Sequence, residues 1–125
     1  VRPLIAIVDD DVGMRRALSR LVRAHGLNVA TFASGEALLD ALPKAALACV
    51  LLDLQLPGIG GLEVLRRLTF VGSRIPAIVM TGFDRVGLRE QCLAAGAVEF
   101  LMKPTGDAEV ARALTEALRK GRTEP

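Results

Sequence analysis

Five short apolar runs alternate with five segments of helical periodicity along this chain, and few architectures accept that order. The runs are Leu4–Val8, Asn28–Phe32, Cys49–Asp53, Ile75–Thr81 and Val98–Met102. Each is shorter than an ordinary helix and bounded by turn or polar residues, so each reads as a strand. Val12, Met14, Ala17, Leu18, Leu21 and Val22 mark the first helical face, with Asp11 as expected N-cap and Gly26 as the stop. Ser34 is placed to cap a second helix that runs to about Leu42 and ends at Pro43. Leu62, Leu65 and Leu68 mark a third behind the Gly60-Gly61 turn. A weaker fourth is expected from Arg85 to Ala95, interrupted at Gly87 and closed by Gly96. A fifth starts at Asp107 with Val110, Ala111, Leu114 and Leu118 turned inward. Strands alternating with helices give a doubly wound α/β domain of (βα)5 type: a five-stranded parallel sheet, covered on both faces, with right-handed crossovers.

In such a sheet the carboxyl ends of the strands share an edge, and open α/β sheets place their ligand sites there. The first run stops at Asp9, Asp10 and Asp11, the third ends in Asp53, the fourth in Thr81, and the fifth meets Lys103-Pro104. A charged residue has no structural reason to close a buried apolar run, so Asp53 is taken as the chemical centre. Carboxylates at neighbouring strand ends repel one another and need a cation, and a set of oxygen ligands suits hard Mg²⁺. A charged lysine holds a phosphate or carboxylate as a point charge, and a threonine hydroxyl donates to a phosphoryl oxygen. Together these are the parts that phosphoryl transfer requires: an anionic acceptor, a neutralising metal and donors around the transferred group.

The remaining composition narrows the class. A chain of 125 residues, 51% of them hydrophobic, suits one domain with one core. Residues 1–120 are assigned to it, with 121–125 as a frayed tail or the start of a linker. Net charge is only +2 and neither Trp nor Tyr is present, which argues against a direct nucleic-acid surface. No apolar stretch is long enough to span a bilayer, and no basic segment leads into an apolar one at Val1, so a cytoplasmic location is expected. Cys49 and Cys92 lack metal-ligand spacing and read as buried reduced thiols, and the lone His25 reads as a surface residue.

At this point the residues also match a family. Ile7-Val8-Asp9-Asp10-Asp11, Leu52-Asp53-Leu54-Gln55-Leu56-Pro57-Gly58 with Gly61, Met80-Thr81-Gly82, and Ala95 through Pro104 stand in the order and spacing of a receiver domain. From Ile5 to about Leu118 the chain resembles the receivers of two-component response regulators, most of all those of transcriptional activators. The resemblance implies a flavodoxin-like sheet of order 2-1-3-4-5. It also implies Asp53 as the acceptor of a phosphoryl group from a histidine kinase, with Mg²⁺ (or Mn²⁺) held by Asp9, Asp10, Asp53 and the backbone carbonyl of Gln55. Thr81 and Lys103 become phosphoryl contacts, Thr81 and Phe100 the switch pair, and Lys103-Pro104 a cis peptide. Gln55 and Phe83 would border the approach of water and tune the lifetime of the acyl phosphate. The implied partners are the kinase and a second copy of the chain through the fourth helix, fifth strand and fifth helix; for the output, a DNA-binding domain beyond Pro125 is the first choice, with a stand-alone phosphate shuttle second and fusion to a histidine kinase third. The chain is not expected to be an enzyme beyond its own phosphorylation and slow dephosphorylation. Arg15, Arg16, Arg20 and Arg23 read as a solvated helix face, with kinase docking as the alternative.

Two departures stand out. Thr105 follows Lys103-Pro104 where receivers commonly have a bulky apolar residue. Gly87 inside the fourth helix would cost about 1 kcal/mol against Ala and make that helix the weakest element. Three other functions compete. An aspartate-nucleophile phosphatase of the haloacid-dehalogenase type needs an acid two residues after the nucleophile, and Gln55 stands there. A nucleotide or flavin domain needs a glycine-rich phosphate loop after the first strand, where Asp9, Asp10 and Asp11 would repel an anion. The third is a receiver that serves only as an unphosphorylated docking module.

Overall fold

In the computed structural model, residues 2–42, 46–70 and 75–123 are described. The elements are β1 (Leu4–Val8), α1 (Val12–Ala24), β2 (Asn28–Phe32), α2 (Gly35–Ala41), β3 (Leu47–Asp53), α3 (Gly61–Phe70), β4 (Ala77–Thr81), α4 (Leu88–Ala94), β5 (Ala97–Met102) and α5 (Asp107–Thr123). All strand pairs are parallel and the order is β2-β1-β3-β4-β5. The (βα)5 expectation therefore holds, strand order included.

The apolar runs are continuous because β1, β3 and β4 are covered on both faces, and every residue of β4 is buried. Alternation along each strand divides the core in two. Ile5, Ile7, Cys49, Leu51, Ile78, Met80 and Leu101 pack with Leu18 and Val22 of α1 and Val110, Ala113, Leu114 and Ala117 of α5. Ala6, Val8, Val50, Leu52, Val79 and Phe100 meet Leu38 of α2, Val64, Leu65 and Leu68 of α3, and Leu88 and Cys92 of α4. Both cysteines are buried free thiols, and burial pushes the Cys49 thiol up to about 12. Asp11 and Ser34 cap α1 and α2 as expected, accepting from the Met14 and Ala37 amides at 3.2 and 3.1 Å.

Several local expectations are corrected. Gly87 does not interrupt α4; it precedes the helix as its N-cap at φ 86°, a left-handed conformation that glycine adopts without strain. The helix is therefore shorter than expected, and the penalty for an internal glycine does not arise. In α1, Val12 and Ala17 are exposed while Ser19 is buried, so the inward stripe is narrower than the apolar letters suggest. In α5, Val110 and Leu114 face inward as expected, but Ala113 and Ala117 complete the stripe and Ala111 and Leu118 are only half-buried. The helix continues through residues 121–123 rather than fraying at Gly121; Glu124, Pro125 and the expected stop at Pro43 lie outside the described residues. Strand β3 starts two residues early at Leu47, β5 starts at Ala97, and β4 starts only after Pro76, whose carbonyl accepts from the Val50 amide at 2.9 Å.

One glycine sets how α3 meets the end of β3. A Cβ on Gly61 would stand 2.5 Å from the Asp53 carbonyl oxygen and 2.6 Å from the Leu54 Cα, and both obstacles are backbone. The Gly61 amide donates to the Leu54 carbonyl at 3.1 Å, so the close approach is also hydrogen-bonded. Gly61→Ala should cost about 1–3 kcal/mol of stability, measured by urea unfolding, because neither neighbour can move without displacing Asp53.

Candidate functional site

Reversal of strand order at β1 leaves a crevice between the ends of β1 and β3, where doubly wound sheets take their ligands. Asp9 follows β1 and Asp53 closes β3; both are buried, at 2% and 6% exposure, while Asp10 beside them is exposed. One carboxylate oxygen from each of Asp9, Asp10 and Asp53 lies within 4.8 Å of the others. Thr81 at the end of β4 is fully buried, and Lys103 after β5 is half-buried. Every residue expected at this edge is thus at this edge.

Hydrogen bonds fix the two buried acids. Asp9 Oδ1 accepts from the Asp11 amide at 2.9 Å, so Asp11 serves both as cap of α1 and as anchor of Asp9. Asp9 Oδ2 accepts from Lys103 Nζ at 2.8 Å, and the same Nζ lies 3.4 Å from Asp53 Oδ2. Asp53 Oδ1 accepts from the Gln55 amide at 3.0 Å, folding the carboxylate over its own loop. Asp10 has no hydrogen-bond partner among the described residues, so its exposed carboxylate is free to turn. Lys103-Pro104 is cis, as the resemblance implied. The Lys103 amide donates to the Thr81 carbonyl at 2.8 Å, tying the ends of β4 and β5 together.

Electrostatics follow from this geometry. Burial raises the Asp53 pKa, the Gln55 amide opposes the rise, Asp9 adds to it, and Lys103 opposes it in turn. For Lys103 burial acts to lower the pKa, but the hydrogen bond to Asp9 and the charges of Asp53 and Asp9 outweigh it, and the net direction is upward. The donor set fits a hard divalent cation: three carboxylates that converge, one of them unpartnered and solvent-facing, with room for water on its side.

The remaining expected residues are placed as follows. The Thr81 hydroxyl is engaged within its own turn, accepting from the Phe83 amide at 3.1 Å and donating to the Phe83 carbonyl at 3.3 Å. Phe83 is half exposed and Gln55 is exposed. Their loops converge, since a Cβ on Gly82 would be 4.0 Å from Gln55 Oε1 and 3.9 Å from the Lys103 Cβ. Phe100 is buried at 7% exposure and pairs in register with Val79, two residues before Thr81. Thr81 and Phe100 therefore share the face that α4 covers. Thr105 donates its hydroxyl to the Met102 carbonyl at 2.9 Å, a local role that touches no acid.

Sequence reasoning missed Arg15. Its Nη1 donates to the Asp9 backbone carbonyl at 2.6 Å, so it is a prop of the pocket and not only part of a solvated face. Its place one turn after the Asp11 cap is the only sequence signal, and since a charge at a helix start is normally solvated, that place does not by itself mark a prop.

A doubly wound sheet with converging acids and a lysine at its switch point defines a small class of α/β domains. The chain belongs to the response regulator receiver domain family, whose profile matches residues 5–115. It is 37% identical over 93% of its length to the transcriptional regulatory protein FixJ of Bradyrhizobium diazoefficiens, and covers 57% of that protein. It is likewise 37% identical to the response regulator protein TmoT of Ectopseudomonas mendocina, of which it covers 53%. The chain thus spans about half the length of the curated relatives it matches. Among solved structures it resembles full-length FixJ from B. japonicum, with a TM-score of 0.90, 35% identity, and 98% of this chain against 61% of that one. A receiver protein from Burkholderia phymatum matches at TM-score 0.83 and 41% identity, over 94% and 96% of the two chains. Among the described residues no helix is long and apolar enough to cross a membrane.

A stability test follows from the two shifted groups. Folding raises the Asp53 pKa, so the folded state holds a proton that the unfolded chain has already released, and the ionised carboxylate costs stability at neutral pH. Metal-free Asp53→Asn should be more stable than the parent at neutral pH, and the gain should shrink as pH falls through the acidic range. Lys103 has the opposite sign: its raised pKa stabilises the fold throughout the neutral range, and that is lost as pH rises through the raised value. Lys103→Met should therefore destabilise at neutral pH. Denaturant unfolding of the three proteins at neutral and strongly acidic pH measures both effects.

Proposed function

We propose that Asp53 is the phosphoacceptor of a two-component response regulator, charged by a histidine kinase to control transcription. The observation that carries this reading is one ammonium, Lys103 Nζ, held 2.8 Å from Asp9 and 3.4 Å from Asp53 at the switch point of the sheet. Asp9, Asp10, Asp53 and the Gln55 backbone carbonyl would hold Mg²⁺ or Mn²⁺, which supplies the positive charge that three carboxylates and an incoming phosphoryl group need. An Asp53 carboxylate oxygen attacks phosphorus in line with the donor bond. The O–P bond forms as the P–N bond to the kinase histidine breaks, and the electron pair leaves with the imidazole, which takes up a proton. Lys103 is already beside Asp53 and balances the arriving charge. The domain catalyses only this self-phosphorylation and the slow hydrolysis that reverses it.

The output is a rearranged surface. To donate to a phosphoryl oxygen, the Thr81 hydroxyl must leave the Phe83 carbonyl, which releases the turn leading into α4. Phe100 is already packed under α4, so the aromatic part of the switch works from this buried position rather than by turning in from solvent. Exposed Leu93, Val98 and Met102, at 41%, 38% and 38%, lie on α4 and β5 and support that face, with α5, as the contact between two phosphorylated copies. The relatives' names and lengths support a DNA-binding domain beyond Pro125.

Incubation with Mg²⁺ and acetyl phosphate should add one phosphoryl mass to the parent and none to Asp53→Asn, read by intact mass; retention of the increment in the variant would move the site. Phe83 offers no hydrogen bond to an attacking water and enough bulk to obstruct it, so Phe83→Glu should shorten the lifetime of the phosphorylated form several-fold. Equal decay in the two proteins would mean that Phe83 does not border the pocket. Beryllofluoride should shift the sedimentation of the parent towards a dimer, and an unchanged mass would remove dimerisation as the output.

A further inference from the structure

Two adjacent residues at the start of α2 close on the loop that follows Asp53. Glu36 Oε2 accepts from the Ile59 amide at 3.2 Å. At Gly58, whose φ is 72°, a Cβ would collide with the same oxygen, so the carboxylate fills the space that a side chain there would need. Gly35 gives way in turn to Ile59: a Cβ on Gly35 would collide with Val64 Cγ2 and stand 3.1 Å from Ile59 Cγ1. Ile59 is therefore held twice, by a hydrogen bond to its amide and by close packing of its side chain on bare backbone. The loop it closes lies between the end of β3 at Asp53 and the start of α3 at Gly61, and it contains Gln55. The Gln55 amide donates to Asp53 Oδ1 at 3.0 Å, so the near end of this loop is fixed by the acid itself.

We propose that Glu36 is a positioning residue for the cation site: reaching across from α2, its carboxylate fixes the loop on which Gln55 offers its carbonyl. This rests on the reading of Asp9, Asp10, Asp53 and the Gln55 carbonyl as the ligand set. The carboxylates of that set stand at or beside strand ends, whereas the Gln55 carbonyl belongs to a loop and has no sheet partner to aim it. Mg²⁺ accepts little departure from octahedral geometry, so a displaced carbonyl binds it less well. Groups that orient metal ligands from behind commonly change metal affinity about 10–100-fold. Leu56 and Ile59 also pack against the core, but apolar burial is non-directional, and a hydrogen bond sets orientation as well as proximity. A carboxylate in the first turn of a helix interacts favourably with the backbone dipoles. That accounts for a charge at position 36, but neither for its reach to Ile59 nor for the Cβ-free place it occupies at Gly58.

Reach and charge separate in three variants. Glu36→Gln keeps the length and an acceptor oxygen but loses the charge, Glu36→Asp keeps the charge and loses a methylene of reach, and Glu36→Ala loses both. Position 36 is exposed, so none of them opens a hole in the core. Binding of Mn²⁺, which takes the same oxygen ligands, is read on the unphosphorylated chain from the electron paramagnetic resonance of the free ion. Exchange of the Ile59 amide is followed by NMR on the metal-free protein. Glu36→Ala and Glu36→Asp should bind Mn²⁺ about tenfold more weakly than the parent and exchange the Ile59 amide faster. Glu36→Gln should stay close to the parent in both. Equal Mn²⁺ affinity in the parent, Glu36→Asp and Glu36→Ala overturns the positioning role, even with faster exchange at Ile59, and leaves the acid cluster intact as a cation site. Glu36→Gln as weak as Glu36→Ala overturns it as well, because charge and not reach would then decide. Absence of Mn²⁺ binding by the parent, or binding unchanged in Asp10→Asn, overturns the cation site itself and the role of Glu36 with it.

Discussion

Two buried carboxylates side by side are the constraint on which the rest of this domain depends. Like charges about 4 Å apart repel by roughly 4 kcal/mol where the effective dielectric constant is near 20. That is a large share of the stability of any small domain. Asp9 and Asp53 are forced together because β1 and β3 are neighbours, and alternation along the strands leaves them no other place. The fold answers with a cation drawn from the far side of the sheet: Lys103 follows β5 and reaches across β4 to touch both. A long stem with a point charge at its tip is what that span needs. The backbone amides of Asp11 and Gln55 bond Asp9 Oδ1 and Asp53 Oδ1, so the lysine and two amides together offset part of the repulsion.

The parts of the fold that burial alone decides were legible in the sequence. Unbroken apolar runs predict strands covered on both sides, and β1, β3 and β4 are so covered. Polar residues closing those runs were legible as a site for the same reason, since nothing in a core tolerates them. What was not legible depends on backbone conformation or on neighbours distant in sequence. Gly87 looks like an interior flaw of a helix until its φ of 86° shows that the helix has not begun. Ser19 is buried and Val12 exposed, the reverse of what their polarity suggests, because tertiary packing sets the buried side of α1. Arg15 is ambiguous for the same reason: a charge at a helix start is normally solvated, and only the position of the Asp9 carbonyl makes it a prop.

The loop between β4 and α4 is held lightly. Thr81 closes the turn on Phe83 with its hydroxyl, Val86 is 99% exposed, and α4 begins without a side-chain cap. A seven-residue helix gains little from its own hydrogen bonds, so α4 keeps its place chiefly through Leu88 and Cys92 packed near Phe100. Regions with few buried contacts open at low cost, whereas the pocket itself is pinned by several bonds. The asymmetry is mechanical: a rigid pocket is joined to a loosely held helix.

The tie between Lys103 and Asp9 spans 94 positions of the chain, from the first strand to the residue after the last. A ribosome therefore delivers both acids long before it delivers the charge that reconciles them. A nascent chain holding only the first four strands carries paired carboxylates with no lysine between them and an open edge where β5 belongs, so its sheet closes weakly or not at all. Only when the fifth strand docks does the lysine reach the pocket. The acid pocket is in this sense a record of completed synthesis: a truncated or half-made domain has Asp53 in its sequence but no Lys103 beside it.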